Sequence, residues 1–354
     1  AGASMKKNIL IKFVDMPSEF NCRENYITKA LQKDYNIIFS DKPEFLFYGN
    51  FGTSFTTYLD AVKICISGEP VLPNFNDCDY AIDYHTLSYG DRHFRAGEII
   101  GNVGKPVSPR IQDRSGALSS MTQRKFCNFV YFNENSGEGA RLRTKFCRLL
   151  SRYKQVDCPG SVLHNIDVGL EDRYTRNLTG ERRVANENWV ITKLKFLQLY
   201  KFTIAFENTS LSGYTTEKLY HPFQAYSIPI YWGNPDVCEQ FNPKAFINAN
   251  DYGEDFEGLI EKIIELDRDD EKYLAMLREP PFRSDYVFDE EQRLAHFLAH
   301  IIEKGPHPYE KNALGFPNVS TMSFEQHCRL GHVGMRTIIK YGAGWLHYKI
   351  QGKG

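Results

Sequence analysis

Residues 202–237 read FTIAFENTSLSGYTTEKLYHPFQAYSIPIYWGNPDV: two apolar, β-rich runs, Phe202–Phe206 and Ile228–Trp232, enclose a polar loop and a helical stretch. Strand, loop, helix and a second continuous apolar strand make a βαβ unit, whose strands are parallel and buried on both faces. In such sheets ligands meet the carboxyl ends of the strands, where loops feed helix N-termini with free N–H groups. The loop carries Glu207, Asn208 and Tyr214, and Thr215 or Thr216 is placed to cap a helix that begins Glu217-Lys218. A cation in the first turn opposes the helix dipole, so Lys218 suits an external anion such as a diphosphate. The residues alone are equally compatible with a solvated Lys218, a Glu217 that complements the dipole, a turn-forming Asn208 and a packed Tyr214. Pro222 predicts a kink or a short first turn in this helix.

Working outward, runs at 9–14, 44–48 and 62–67 are short and β-rich, with intervals long enough for helices. From 102 to 120 the chain turns to Gly, Pro, Ser and polar residues, and alternation then resumes: strand 125–132, helices 139–152 and 186–200, the quoted unit, and helix 256–267. The 354 residues suit two domains. We expect an α/β domain over 5–118, a second α/β domain over 119–305 and a basic, aromatic tail over 306–354. Neither a P-loop nor a G-x-G-x-x-G turn is present.

Hydrophobic residues make up 42% and charged residues 25%, the balance of a globular protein. A net charge of −1 offers no general attraction to nucleic acid. No run of 18 apolar residues occurs, so nothing in the sequence reads as a membrane span. The opening "AGAS" resembles a cloning remnant, and "KKNILIKFV" is too short for a signal sequence. Eight scattered cysteines, without C-x-x-C or zinc spacing, predict reduced, buried thiols and a cytoplasmic setting, in which the sequons at Asn177, Asn208 and Asn318 would be silent.

"KICISGEP" places Glu69 just past a strand end, and Pro70 restricts it to an extended backbone. A carboxylate held there could act as a general base, or be simply solvated. His85 and His93 are rival bases. The "DCD" of 77–79 and the "DRDD" of 267–270 match an Asp-x-Asp metal pattern by letters, the second reading as a solvated helix end.

The quoted stretch, with its F-E-N strand end, Y-x-T-E-K and following "SIPIYWGNP", resembles the donor-binding motif of the α-1,3/4-fucosyltransferases, bacterial members included. "SGEPVLPNFNDCDYAIDY" (67–84) and "DRHFR" (91–95) resemble their acceptor-side segment, and "FNPKAFINANDY" (241–252) the segment after the motif. The resemblance implies the GT-B fold, two Rossmann-like doubly wound domains facing a cleft. It also implies GDP-fucose as donor, inversion, no required cofactor or metal, and a galactose- or N-acetylglucosamine-containing acceptor glycan of the kind that yields Lewis antigens. It puts Asn208, Tyr214, Glu217 and Lys218 around GDP, aligns Arg143 of "GARLRTKFCRLL" with a phosphate-binding arginine (Arg141 if the register slips by two), and gives Glu69 the place of the base. An α-1,4 linkage, another GDP-sugar or a non-catalytic glycan-binding module are the alternatives. No heptad repeat follows, unlike some members, and the tail after Glu325 resembles a membrane-surface segment or a piece that packs back across the cleft.

Overall fold

The computed structural model describes residues 6–18, 20–97, 100, 119–168, 188–253 and 255–309. The first sheet contains β1 (Lys7–Val14), β2 (Tyr35–Phe39), β3 (Phe45–Tyr48), β4 (Val62–Ile66), β5 (Tyr80–Asp83) and β6 (His93–Arg95) in the order β2-β1-β3-β4-β5-β6. The second contains β7 (Lys125–Asn128), β8 (Val156–Asp157), β9 (Tyr200–Phe206), β10 (Ile228–Trp232) and β11 (Ile247–Asn248) in the order β11-β10-β9-β7-β8. Every neighbouring pair in both sheets is parallel. Strands β3, β4 and β9 are buried at every position, Lys63 of β4 and Lys201 and Thr203 of β9 included, whereas the edge strand β2 alternates between exposed and half-buried residues.

Helices cover both faces of the second sheet. On one side α2 (Glu138–Leu150), α5 (Phe256–Arg268) and α6 (Asp270–Arg278) bring Phe146, Leu150, Phe256, Leu259 and Tyr273 onto Phe202, Ile204 and Phe206 of β9. On the other, α4 (Glu217–Gln224) lays Leu219, Tyr220 and Phe223 on Ala205 and Tyr231, while Phe196 and Leu197 of α3 (Asn188–Leu197) pack with Tyr200. The alternation of a strand sends Phe202, Ile204 and Phe206 to one core and Ala205 to the other. In the short α4, Pro222 lies inside the helix, and its first turn is tightened by the bond from Leu219 N–H to Thr216 O at 3.1 Å.

The first sheet is covered by α1 (Tyr26–Leu31), capped by Asn25, whose Oδ1 accepts from Thr28 N–H at 3.0 Å, and by α7 (Glu290–Glu303). Leu294, Leu298, Ile301 and Ile302 of α7 share a core with Ile9, Ile11, Ile27 and Phe45. The chain therefore returns to the first sheet before residue 305, inside the stretch expected to complete the second domain. Beyond α7, Tyr309 N–H donates to Asp79 Oδ1 at 2.8 Å, and Asp91, held down to about 2 by Lys304 and His300, ties the end of α7 to the loop before β6. The expected division at residue 118 and the tail from 310 on lie outside the described residues. No helix among the described residues is long and apolar enough to cross a membrane. Among the described residues seven cysteines are free thiols, and Cys65, Cys78, Cys127, Cys147 and Cys158 are buried.

Leu298 is 2% exposed at the centre of the returning helix. Leu298→Ala is expected to cost about 2–5 kcal/mol in urea unfolding. A loss under about 1 kcal/mol would mean that α7 adds little to this core.

Candidate active site

The end of β9 poses a problem of charge: Glu207 is fully buried. Its Oε1 accepts from Thr216 N–H at 2.7 Å and its Oε2 from the Thr216 hydroxyl at 2.8 Å, so the carboxylate fastens the strand end to the N-cap of α4. Lys218 Nζ lies 3.3 Å from Glu207 Oε2, 3.7 Å from Glu217 Oε1 and 3.2 Å from the Thr216 hydroxyl. Burial works against the ammonium, but Glu217 and Glu207 outweigh it and hold its pKa above the usual lysine range. Lys218 thus has two carboxylate partners of its own. These two carboxylates stand beside the cation that the dipole of the first turn opposes.

Arg143 is in the opposite position. It is 2% exposed, lies 4.0 Å over the Tyr131 ring, and donates from Nη1 to Asn208 Oδ1 (2.8 Å) and from Nη2 to Asn133 O (2.6 Å) and the Ser136 hydroxyl (3.4 Å). Its buried Nε has no partner among the described residues, and no carboxylate there reaches it at ion-pair distance. Burial pulls its pKa down, partly countered by Tyr131 and Glu207. A buried cation held only by neutral acceptors is a costly arrangement that an anion alongside would relieve. Arg141 is exposed and lines a separate cavity of about 300 Å³ with Glu134, Lys145, Arg148 and Arg152, so it is Arg143 that meets Asn208.

Two glycines bring α2 this close. Gly137 has φ +116, and a Cβ there would come 2.5 Å from Asn208 O. A Cβ on Gly139 would come 2.1 Å from Glu207 O and 2.6 Å from the Trp232 ring. Instead Gly139 N–H donates to Asn208 O at 2.9 Å, and the positive end of α2 abuts the end of β9. Glu207, Ser136, Gly137 and Gly139 were not among the expected site residues; an acid directly after a buried strand and the "SGEG" before α2 are the signals that mark them.

Tyr214 is 2% exposed and meets Tyr84, beyond β5 of the first sheet, edge-on at 5.2 Å and 86°. Burial and the charges of Glu207, Glu69 and Glu217 raise its phenol well above the usual range. Glu69 is thereby near the donor-motif residues although it stands on the other sheet. It is half-buried beyond β4, its N–H donating to Ser67 Oγ at 3.2 Å and its carbonyl accepting from the same hydroxyl at 3.0 Å. Asn50 in turn donates to Ser67, so the backbone that presents this carboxylate is fixed.

The rival bases share one carboxylate. Asp83 Oδ1 accepts from His85 N–H at 2.8 Å and lies 3.0 Å from both His85 Nδ1 and His93 Nε2. Asp79 accepts from Lys63 N–H at 2.7 Å as well as from Tyr309, and Asp77 accepts from Asn74. Asp267, expected to be solvated, is nearly buried and accepts from Tyr153 and Lys154, while Asp269 caps α6. Among the described residues no group of three or more His, Cys, Asp or Glu side chains is arranged to hold a metal ion.

With this geometry in hand, the chain can be set beside known proteins. It matches the α-(1,3)-fucosyltransferase FucT N-terminal domain over residues 11–99 and the C-terminal part of glycosyltransferase family 10 (fucosyltransferase) over 122–296. It is 31% identical to the α-(1,3)-fucosyltransferase FucT of Helicobacter pylori over 260 residues, 64% of this chain and 49% of that protein. It is also 31% identical to the GDP-fucose protein O-fucosyltransferase 3 of Gallus gallus over 136 residues, 38% of this chain and 26% of that one. The chain spans about half the length of the first relative and less of the second. A crystal structure of an α1,3-fucosyltransferase superposes with a TM-score of 0.66 at 24% identity, covering 86% of this chain and 92% of that one. One with GDP-fucose gives 0.65 at 23%, covering 86% and 93%. These likenesses establish a shared fold, the GT-B arrangement of two parallel α/β sheets.

Gly139→Ala is expected to destabilise the fold by about 1–3 kcal/mol, because the added methyl meets backbone and an indole ring. Thermal and urea unfolding read this directly. A variant as stable as the parent would show that α2 is not seated against β9 as described.

Proposed function

This chain belongs to the fucosyltransferases of glycosyltransferase family 10, and we propose that it transfers L-fucose from GDP-β-L-fucose, with inversion, to the 3-OH of N-acetylglucosamine or glucose in lactosamine- or lactose-type glycans. The observation that carries the reading is the buried Arg143, held by Asn208 at the N-terminus of α2 with no carboxylate of its own, within the field of the same Glu207 and Glu217 that hold Lys218.

The roles follow from what each group can do. The departing GDP gathers negative charge on its diphosphate, and Arg143, the α2 N-terminus and Lys218 supply positive charge and N–H donors there. Asn208 orients Arg143 by accepting from Nη1. Glu217, partly exposed in the first turn of α4, suits the ribose hydroxyls, which a carboxylate can accept from. Tyr214 packs between the carboxylates and the first sheet. Glu69, presented from the far side by the Ser67 clamp, takes the proton of the attacking hydroxyl as the anomeric carbon passes from the diphosphate oxygen to the acceptor oxygen. A single displacement of this kind inverts the anomeric centre, and no metal or other cofactor is required by the charges so assigned.

Glu69→Gln is expected to lower turnover about 10²–10⁴-fold while GDP affinity changes little. A folded variant with near-normal turnover would remove Glu69 from the reaction.

Arg143→Ala and Lys218→Ala are expected to weaken GDP binding about tenfold or more in calorimetry, since the charge they meet is present before the reaction starts. Unchanged affinity in both would end the donor-site assignment. With GDP-fucose and lactosamine, activity should survive EDTA; complete loss, restored by Mn²⁺, would restore a metal to the mechanism.

A further inference from the structure

We propose that Tyr84 is a positioning residue of the nucleotide site: through its ring, the first sheet fixes Tyr214 and so completes a GDP-binding site otherwise built on the second sheet. This rests on the donor-site reading given above and assigns it a residue outside the donor motif.

Tyr84 follows directly on β5 and is only 2% exposed. What buries it includes the donor loop: its ring stands edge-on to Tyr214, the geometry that aligns the positive rim of one ring with the negative face of the other. Burial first, then Tyr214, Glu217 and Glu207, push the Tyr84 phenol well above its usual range, so the side chain lies in the field of the donor-motif carboxylates.

The main chains meet as closely as the rings. Thr86 N–H donates to Ser212 O at 3.3 Å. Gly213 has φ +85, and a Cβ there would come 2.2 Å from Tyr84 O and 3.0 Å from both Thr86 N and Arg95 Nε. Only glycine allows this approach. Arg95 Nε in turn donates to Tyr84 O at 3.2 Å.

The two halves of the contact are each held from behind. Asp83 fixes the first through His85 and His93. On the other side Asn234 Oδ1 accepts from Gly213 N–H at 2.9 Å, Ser212 donates to Asp236, and the Tyr231 hydroxyl reaches Tyr214 O at 3.4 Å. The donor loop is thus clamped between two rigid walls, and Tyr84 is the wall that touches the Tyr214 ring. A side chain in that place sets where Tyr214 stands rather than touching the nucleotide itself.

The test is a double-mutant cycle on GDP affinity, with Tyr84→Leu, Tyr214→Leu and the double variant measured by calorimetry beside the wild-type chain and Lys218→Ala. Tyr84→Leu is expected to weaken GDP binding about three- to tenfold, the span of one aromatic pair, and Tyr84→Phe to bind as wild type. The two leucine changes should be non-additive, and the KM for GDP-fucose should rise while that for the acceptor stays. If Tyr84→Leu does not fold, Tyr84→Met, which keeps volume without a ring, takes its place in the cycle. Wild-type affinity in the folded leucine or methionine variant, or additivity in the cycle, overturns the inference while leaving the donor site standing, provided Lys218→Ala still weakens binding. No GDP binding by the wild-type chain overturns both.

Discussion

The site depends on one buried carboxylate. Glu207 follows a fully buried strand, and it accepts from both the N–H and the hydroxyl of Thr216 and faces Lys218. A carboxylate without these donors would be forbiddingly expensive to bury, so the strand end, the helix cap and the lysine are specified together. With Glu207 N–H donating to Trp232 O at 2.8 Å, the same residue also extends the ladder between β9 and β10. The question of why a strand that reads as core should end in an acid therefore has a structural answer: Glu207 is the fastener on which the polar residues around it are mounted.

The two cations of the site differ for a physical reason. Lys218, a compact point charge, is compensated inside the protein by two carboxylates. Arg143 is spread over a planar group that stacks on Tyr131 and gives its N–H groups to neutral oxygens. Guanidinium is weakly hydrated and tolerates such a place better than ammonium would. No carboxylate among the described residues reaches it at ion-pair distance, and it sits beside a helix N-terminus brought close by Gly137 and Gly139. The sequence has no glycine-rich phosphate loop, and these two glycines serve the packing of α2 on β9.

Most of the second sheet was legible in the sequence, because β9 and β10 are β-rich, largely apolar runs followed by turn and cap signals. The first was legible in β1, β3 and β4. It was poorly legible in β2, whose half-exposed edge pattern mimics no single template, and in β6, which has three residues. Helices α6 and α7 went unplaced, since charges cover their exposed faces and the partner of α7 lies about 250 residues earlier in the chain. At the candidate site, the motif marked Asn208, Tyr214, Glu217 and Lys218 as expectations. Which of Arg143 and Arg141 meets Asn208 needed geometry, because two residues apart on a helix means faces about 200° apart. Glu207 and the glycines were hidden for a similar reason: what identifies them is the backbone opposite, which no local pattern reveals.

The path of the chain explains why groups from both sheets can converge with precision. It crosses from the first sheet to the second once, between β6 and β7, and returns through α7, whose apolar face is as deeply buried as any strand of the first sheet. Two crossings restrict how the sheets face each other more than one would, and the return is fastened at its far end by Asp91 and Asp79. Both of these aspartates precede strands, Asp79 before β5 and Asp91 before β6, and β5 carries Asp83 and leads into Tyr84. The Asp79 carboxylate, which by spacing matches a metal pattern, instead accepts from Tyr309 just beyond α7. The residues that hold the fold together and Tyr84, which meets the loop of the second sheet, are consequently neighbours along the same strands, so the nearness of Glu69 to Tyr214 is a property of the whole two-sheet arrangement rather than of the loop that bears it.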